Sequence, residues 1–138
     1  MGKRMAAAAF WLYLAVLFRI TVFRSGWYRN GLFGGSVVLL PFQTIFSYLS
    51  TGRTRYFLYL FGGNLLWFFP FGLYLAAKGK TAPACALFTA LLSLTIETLQ
   101  FVLGTGCSET EDVLLNTLGG VLGWLAFQGI RRLGRKRA

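Results

Sequence analysis

The stretch FLYLFGGNLLWFFPFGLYLAA, residues 57–77, decides the fold: it runs for 21 residues without a charged side chain. At about 1.5 Å per helical residue it is long enough to cross a hydrocarbon core of about 30 Å. Its apolar residues surround the helix instead of lining one face, so it calls for lipid as its solvent. Lys78 and Lys80 close it. Residues 82–103 form a second such stretch with a single charge inside, Glu97, and residues 113–130 form a third that runs into the basic tail Arg131, Arg132, Arg135, Lys136 and Arg137. Upstream, Lys3 and Arg4 precede an apolar run over residues 5–18, which Arg19 interrupts before it resumes to Phe23. A signal peptide would follow such a run with a small-x-small cleavage site. Here Arg19, Arg24 and Arg29 follow it, so an uncleaved first span is expected.

Composition points the same way. Of 138 residues, 56% are hydrophobic and 13% charged, against about 25% charged in a soluble domain. The net charge of +10 raises nucleic acid as a partner, but five of the fourteen basic residues sit in the tail. Beside a span, such a cluster is a cytoplasmic anchor drawn to anionic lipid, and no nucleic-acid partner is expected. There is no histidine. Cys85 and Cys107 read as lying on one helix, 22 positions apart, hence about 33 Å, beyond the reach of a disulfide. Neither a metal-ligand spacing nor a cofactor motif is present, so no metal and no cofactor is expected.

The expected architecture is all-α: one integral membrane domain over residues 1–138, built from about four transmembrane helices. Residues 31–52 lack charge but hold Pro41, Gln43, Thr44 and several serines and glycines. They read either as a fifth span or as a re-entrant or interfacial segment, which is tolerable at membrane depth only under a cover of protein. Charge asymmetry orients the chain. With four spans, nine basic residues fall inside and four outside, and a five-span arrangement gives the same ratio. From Arg53 onward the two agree: Lys78, Lys80 and the C-terminal tail are cytoplasmic and the loop over residues 104–112 is external.

Polar residues then converge on the outer leaflet. Counted from the outer ends of their spans, Glu97 is about 9 Å deep, Asn64 about 12 Å and Asn116 about 6 Å. Ser93, Glu97, Gln100 and Gly104 follow helical steps and share one face; Asp112, Asn116, Gly119 or Gly120, and Gly123 share another. Gly119 and Gly123 form a small-xxx-small pair that lets helices approach closely. Ser108-Glu-Thr-Glu111 fits a capping box at the start of the last helix. A carboxylate in lipid is costly, about 2.5–3.5 kcal/mol on insertion scales, so Glu97 should face the interior. Arg19 lies at a similar depth and is a candidate ion-pair partner for it, as is Arg53 reaching inward.

These residues carry a resemblance. Asn64-Leu-Leu-Trp-Phe-Phe-Pro70-Phe71-Gly72, Ile96-Glu97-Thr-Leu-Gln100-Phe101, and Glu109-Thr-Glu-Asp112-Val-Leu-Leu-Asn116-Thr-Leu-Gly119-Gly120 resemble three motifs of the VanZ-like membrane proteins, and Leu40-Pro41-Phe42-Gln43-Thr44 resembles a fourth. Order and spacing agree over residues 38–125. Two positions depart from the pattern: Val38 stands where the family often has Asn, and Glu109 where it usually has Asp. The resemblance implies a multi-pass protein of the bacterial cytoplasmic membrane, part of the cell envelope, in a family named for a teicoplanin-resistance protein.

Two functional classes follow. In the first, the chain binds an envelope lipid, a cell-wall precursor or a glycopeptide in an outward-facing polar pocket formed by Glu97, Gln100, Asn64, Asp112, Asn116, Arg19 and Arg53, with membrane lipids as constant partners. In the second, it is an intramembrane enzyme acting on a lipid-linked substrate, with Glu97 or Asp112 as general base and an arginine on a phosphate. The absence of histidine and of any nucleophile-elbow, zinc-protease or phosphate-loop motif favours the first. A small transporter would be expected to show an internal repeat, and the sequence shows none.

Overall fold

A computed structural model describes residues 2–23 and 30–136, so the expectations for Arg24, Arg29 and Arg137 fall outside the described residues. In chain order the elements are α1 (Gly2–Thr21), β1 (Ser36–Val38), α2 (Gln43–Ser50), α3 (Thr54–Ala77), α4 (Ala82–Val102), β2 (Cys107–Glu109) and α5 (Thr110–Lys136). The protein is all-α apart from the two-stranded β1–β2 ladder. Among the described residues, four helices are long and apolar enough to cross a membrane: α1 over Arg4–Thr21, then α3, α4, and α5 over Thr110–Arg135. Residues 31–52 hold no fifth span. They fold into β1 and the eight-residue α2, and α2 is only about 12 Å long.

Three helix ends share one device. Gly52, Gly79 and Gly104 all have positive φ, a conformation that costs glycine little. At each, the glycine N–H and the next residue's N–H turn back onto carbonyls of the last helical turn: to Leu49 and Tyr48, to Ala76 and Leu75, and to Phe101 and Gln100. This Schellman geometry satisfies carbonyls that a helix end would otherwise leave bare. Thr81 caps the start of α4, its Oγ1 accepting from the Ala84 N–H at 3.4 Å. Inside α3, Pro70 removes one N–H without breaking the helix.

The chain forms two compact units, Met1–Val37 with Thr95–Ser108, and Val38–Leu94 with Glu109–Ala138. In the first, Leu17 and Val22 are fully buried. The segment after residue 30 closes onto the end of α4: the Phe33 N–H donates to the Val102 carbonyl at 2.8 Å and the Gly35 N–H to the Phe101 carbonyl at 3.1 Å. The Phe33 and Phe101 rings meet edge to face at 6.3 Å.

In the second unit α3 and α5 lie side by side at backbone distance. A Cβ on Gly72 would collide with the Gly120 carbonyl, one on Gly119 with Leu65, and one on Gly123 with Phe69. The contacts advance together along both helices, so α3 and α5 run parallel. Thr89 of α4, fully buried, covers Gly120. At one end of α3, the Trp124 indole N–H donates to the Lys80 carbonyl at 2.8 Å and Lys78 lies over the Tyr74 ring. At the other end are Arg53, Arg55 and the tilted, touching rings of Tyr48, Tyr56 and Tyr59. Aromatic and basic residues at both ends mark the two interfaces of a membrane.

Three sequence expectations are corrected. Ser108 is not the cap of the last helix, because it lies in β2 and α5 begins at Thr110. Gly104 does not extend the Glu97 face, because α4 ends at Val102 and Gly104 is in the turn beyond it. Cys107 is on β2, not on the helix that carries Cys85, and the two form no disulfide.

Gly72→Ala is expected to destabilise the protein by about 3 kcal/mol, because the methyl group meets backbone that cannot step aside. Gly129, in the same α5, has open space where its Cβ would be, and Gly129→Ala should be neutral or stabilising by up to about 1 kcal/mol. Thermal unfolding in detergent measures both; equal effects would refute the close crossing.

Candidate functional site

Each unit contains its own polar cluster. In the second, α3, α4 and α5 each contribute. Asn64 Nδ2 donates to Asp112 Oδ1, joining α3 to α5. One turn further along α5, Asn116 Nδ2 donates to Ser93 Oγ at 2.8 Å, joining α5 to α4. Ser93 is fully buried and Asn116 is 3% exposed. Asn116 Oδ1 is buried and has no hydrogen-bond partner among the described residues. An amide oxygen without a donor costs free energy in the hydrocarbon region, since lipid offers none.

The same register that brings the glycines together makes this cluster. Asn64 precedes Gly72 on α3 by the same eight residues that separate Asp112 from Gly120 on α5. The hydrogen bond and the glycine contact are therefore two rungs of one parallel pairing, about 12 Å apart.

At the start of α5, Glu111 is 3% exposed. Its carboxylate accepts hydrogen bonds from the backbone N–H groups of Thr44 and Ile45, and Glu109 stands beside it. Thr44 and Ile45 are the second and third residues of α2, the positions a capping side chain ordinarily serves. The residue at the N-cap position, Phe42, gives no side-chain cap and takes a left-handed φ of 64°. Glu111 therefore supplies from α5 the cap that α2 lacks. The capping-box reading, in which Glu111 turns back to serve its own helix, is replaced by this longer-range contact.

In the first unit, Glu97 is buried, 3% exposed. One turn on, Gln100 Nε2 donates to the Thr21 carbonyl at the end of α1 at 3.2 Å, and Gln100 Oε1 is buried without a hydrogen-bond partner among the described residues. Arg19 is exposed, and its guanidinium donates to the Phe23 carbonyl at 2.7 Å, closing the end of its own helix. Arg53 also lies outside the second unit's cluster. It is the N-cap of α3, eleven residues and so about 16 Å before Asn64 along that helix.

Of the residues expected to form one pocket, Asn64, Asp112 and Asn116 come together in the second unit, and Glu97, Gln100 and Arg19 belong to the first. Sequence reasoning missed Ser93 as the partner of Asn116, Thr89 as the cover of Gly120, and Glu111 as the cap of α2. Ser93 carried a signal, being a polar residue well inside an apolar span. The Glu111 contact carried none, since nothing local links residue 111 to residues 44 and 45. Among the described residues, no three of His, Cys, Asp and Glu are grouped so as to hold a metal ion.

Long apolar helices joined by interior hydrogen bonds and bounded by basic and aromatic residues define a multi-pass membrane protein with polar side chains in its interior. More narrowly, the chain belongs to the VanZ/LLP1 family, whose model matches residues 10–131. It is similar to Protein VanZ of Enterococcus faecium, with 33% identity over 129 residues that cover 89% of this chain and 73% of that protein. No solved structure matches.

If Glu111 caps α2, Glu111→Ala should cost about 1–2 kcal/mol of local stability. The expected readout is about a tenfold faster amide exchange at Thr44 and Ile45, with the amides of α4 unchanged. Unaltered exchange in α2 would refute the cap.

Proposed function

We propose that the chain is a non-enzymatic binding protein of the bacterial cytoplasmic membrane, with its C-terminal tail in the cytoplasm. The second unit's polar cluster would hold the polar portion of an envelope lipid, a cell-wall precursor or a glycopeptide. The observation that carries this reading is the buried, unpartnered oxygen of Asn116, one turn from the Asn64–Asp112 hydrogen bond. An amide oxygen in that position is satisfied by a ligand that brings an N–H or O–H donor, and such donors are abundant in sugars and peptides. Asp112, already held by Asn64, offers a second acceptor at fixed geometry. Family membership supports the direction, and a link to teicoplanin-type resistance is its most specific form. Asparagine, serine and aspartate joined by hydrogen bonds make a recognition surface without an evident nucleophile–base pair, which favours binding over catalysis.

The test uses the full chain in lipid nanodiscs, titrated separately with teicoplanin and with a polyprenyl-pyrophosphate-linked sugar precursor. Binding of one of them is expected, weakened about tenfold by Asn116→Ala through the loss of one buried hydrogen bond, with Asp112→Asn weakening it further. Binding of neither probe, or unchanged binding by folded variants, would overturn the reading.

A further inference from the structure

Helix α2 is eight residues long and buries none of them. Leu39 is 75% exposed, Leu40 68% and Phe46 67%, and Leu49 is exposed as well. Water would not tolerate so continuous an apolar surface, and at about 12 Å the helix is too short to cross a bilayer. Its two ends are fixed differently. The N-terminus is capped by Glu111. The C-terminus turns through Gly52 into Arg53, whose N–H returns to the Tyr48 carbonyl at 2.9 Å. Arg53 and Arg55 are exposed there. The Tyr48 and Tyr56 rings meet at a tilt of 47° with centroids 5.0 Å apart, and Tyr59 continues the row at 6.4 Å from Tyr56.

Two features set the depth. Helix α3 has 24 residues between Arg53 and Lys78, about 36 Å, which is the hydrocarbon core plus part of one headgroup layer. Its arginine end therefore lies among headgroups, with tyrosines at the boundary where they prefer to sit. From there α2 runs back beside the first turns of α3, carrying its apolar side chains toward the acyl chains. Residues 38–60 contain no acidic side chain. Glu111, the carboxyl group that caps α2, is at the other end of the helix, about 12 Å from Arg53.

We propose that α2, the residues just before it and the start of α3 form a lipid-binding element: Leu40 ahead of α2, and Phe46 and Leu49 on it, insert among the acyl chains, and Arg53 and Arg55 grip the phosphate of an anionic phospholipid. The occupant is set by complementarity. Two exposed arginines two positions apart, in a segment without an acidic side chain, match a phosphodiester, which a guanidinium binds through paired N–H donors. An added negative charge on the lipid distinguishes it from a zwitterionic one. This element is separate from the Asn64–Asp112–Asn116 cluster and does not depend on what that cluster binds.

The test uses full-length protein in nanodiscs of equal phosphatidylglycerol and phosphatidylcholine, with retained lipid counted by native mass spectrometry. The unmodified protein should keep phosphatidylglycerol preferentially. Arg53→Gln with Arg55→Gln should lower that preference by about 25-fold, about fivefold for each charge lost near the surface. Replacing Arg131 and Arg132 by Gln should leave the most tightly held lipid in place. Equal retention of the two lipids by the unmodified protein overturns the phosphate site whether or not the variants fold, and so does a preference that survives in a folded double variant. The insertion is tested with both arginines intact, by placing a photo-crosslinking amino acid at Phe46 or, as a lipid-facing reference, at Leu66 of α3. Lipid adducts of similar yield at both positions support it; adducts at Leu66 alone overturn it.

Discussion

The second unit depends on how closely α3 can approach α5. Lipid supplies no hydrophobic force that drives one apolar helix against another, so association rests on dispersion contacts and interior hydrogen bonds, both of which fall off quickly with distance. Gly72, Gly119 and Gly123 remove the side chains that would hold the axes apart, and Gly120 makes room for Thr89 of α4. That approach fixes the register. With Gly72 opposite Gly120, Asn64 falls opposite Asp112, and their hydrogen bond forms on the same pairing. Thr89 closes over Gly120 from α4 and Ser93 follows one turn later, where it meets Asn116. The polar cluster is thus a consequence of small residues placed at one helical spacing from polar ones.

Much of this was legible in the sequence because the bilayer imposes simple rules. Uninterrupted apolar runs bounded by basic residues became α1, α3, α4 and α5. Counting depth along the helices groups Asn64 and Asn116 with Glu97, whereas the structure bonds Asn64 to Asp112 and Asn116 to Ser93 and puts Glu97 in the first unit. What the sequence did not disclose was short or distant. The β1 and β2 strands have three residues each, too few for alternation to appear. Ser108 carried a capping pattern, but its backbone is engaged in the β1–β2 ladder, so the helix starts two residues later. Gly104 reads as the start of the loop and yet counts with the Glu97 face, because its spacing from Gln100 continues the helical steps beyond the last turn of α4. Glu111 reaches α2 across more than sixty positions of sequence, and only the folded backbone makes them neighbours.

The two ends of the second unit are built for different environments. At Lys78, Lys80 and Trp124, side chains fold over the helix ends and close them. At Arg53 and Arg55 the cations stay outward, beside an apolar helix that is held by one buried carboxylate instead of a core. Glu111 links the two regions of interest, since it caps α2 and immediately precedes Asp112 on α5. A change in how α2 sits in lipid would reach the Asn64–Asp112 pair through one residue, which makes the membrane surface and the interior cluster physical neighbours.

The most direct measurement of this account is a double-mutant cycle on Asn64→Ala and Asp112→Ala, read as unfolding free energy in detergent. Hydrogen bonds between membrane helices couple by about 0.6 kcal/mol on average and reach about 1.7. Because this one is pinned by the glycine crossing, a coupling of about 1 kcal/mol or more is expected. Additive effects, within about 0.3 kcal/mol, would mean that Asn64 and Asp112 do not meet, and the register on which the interior cluster rests would be wrong.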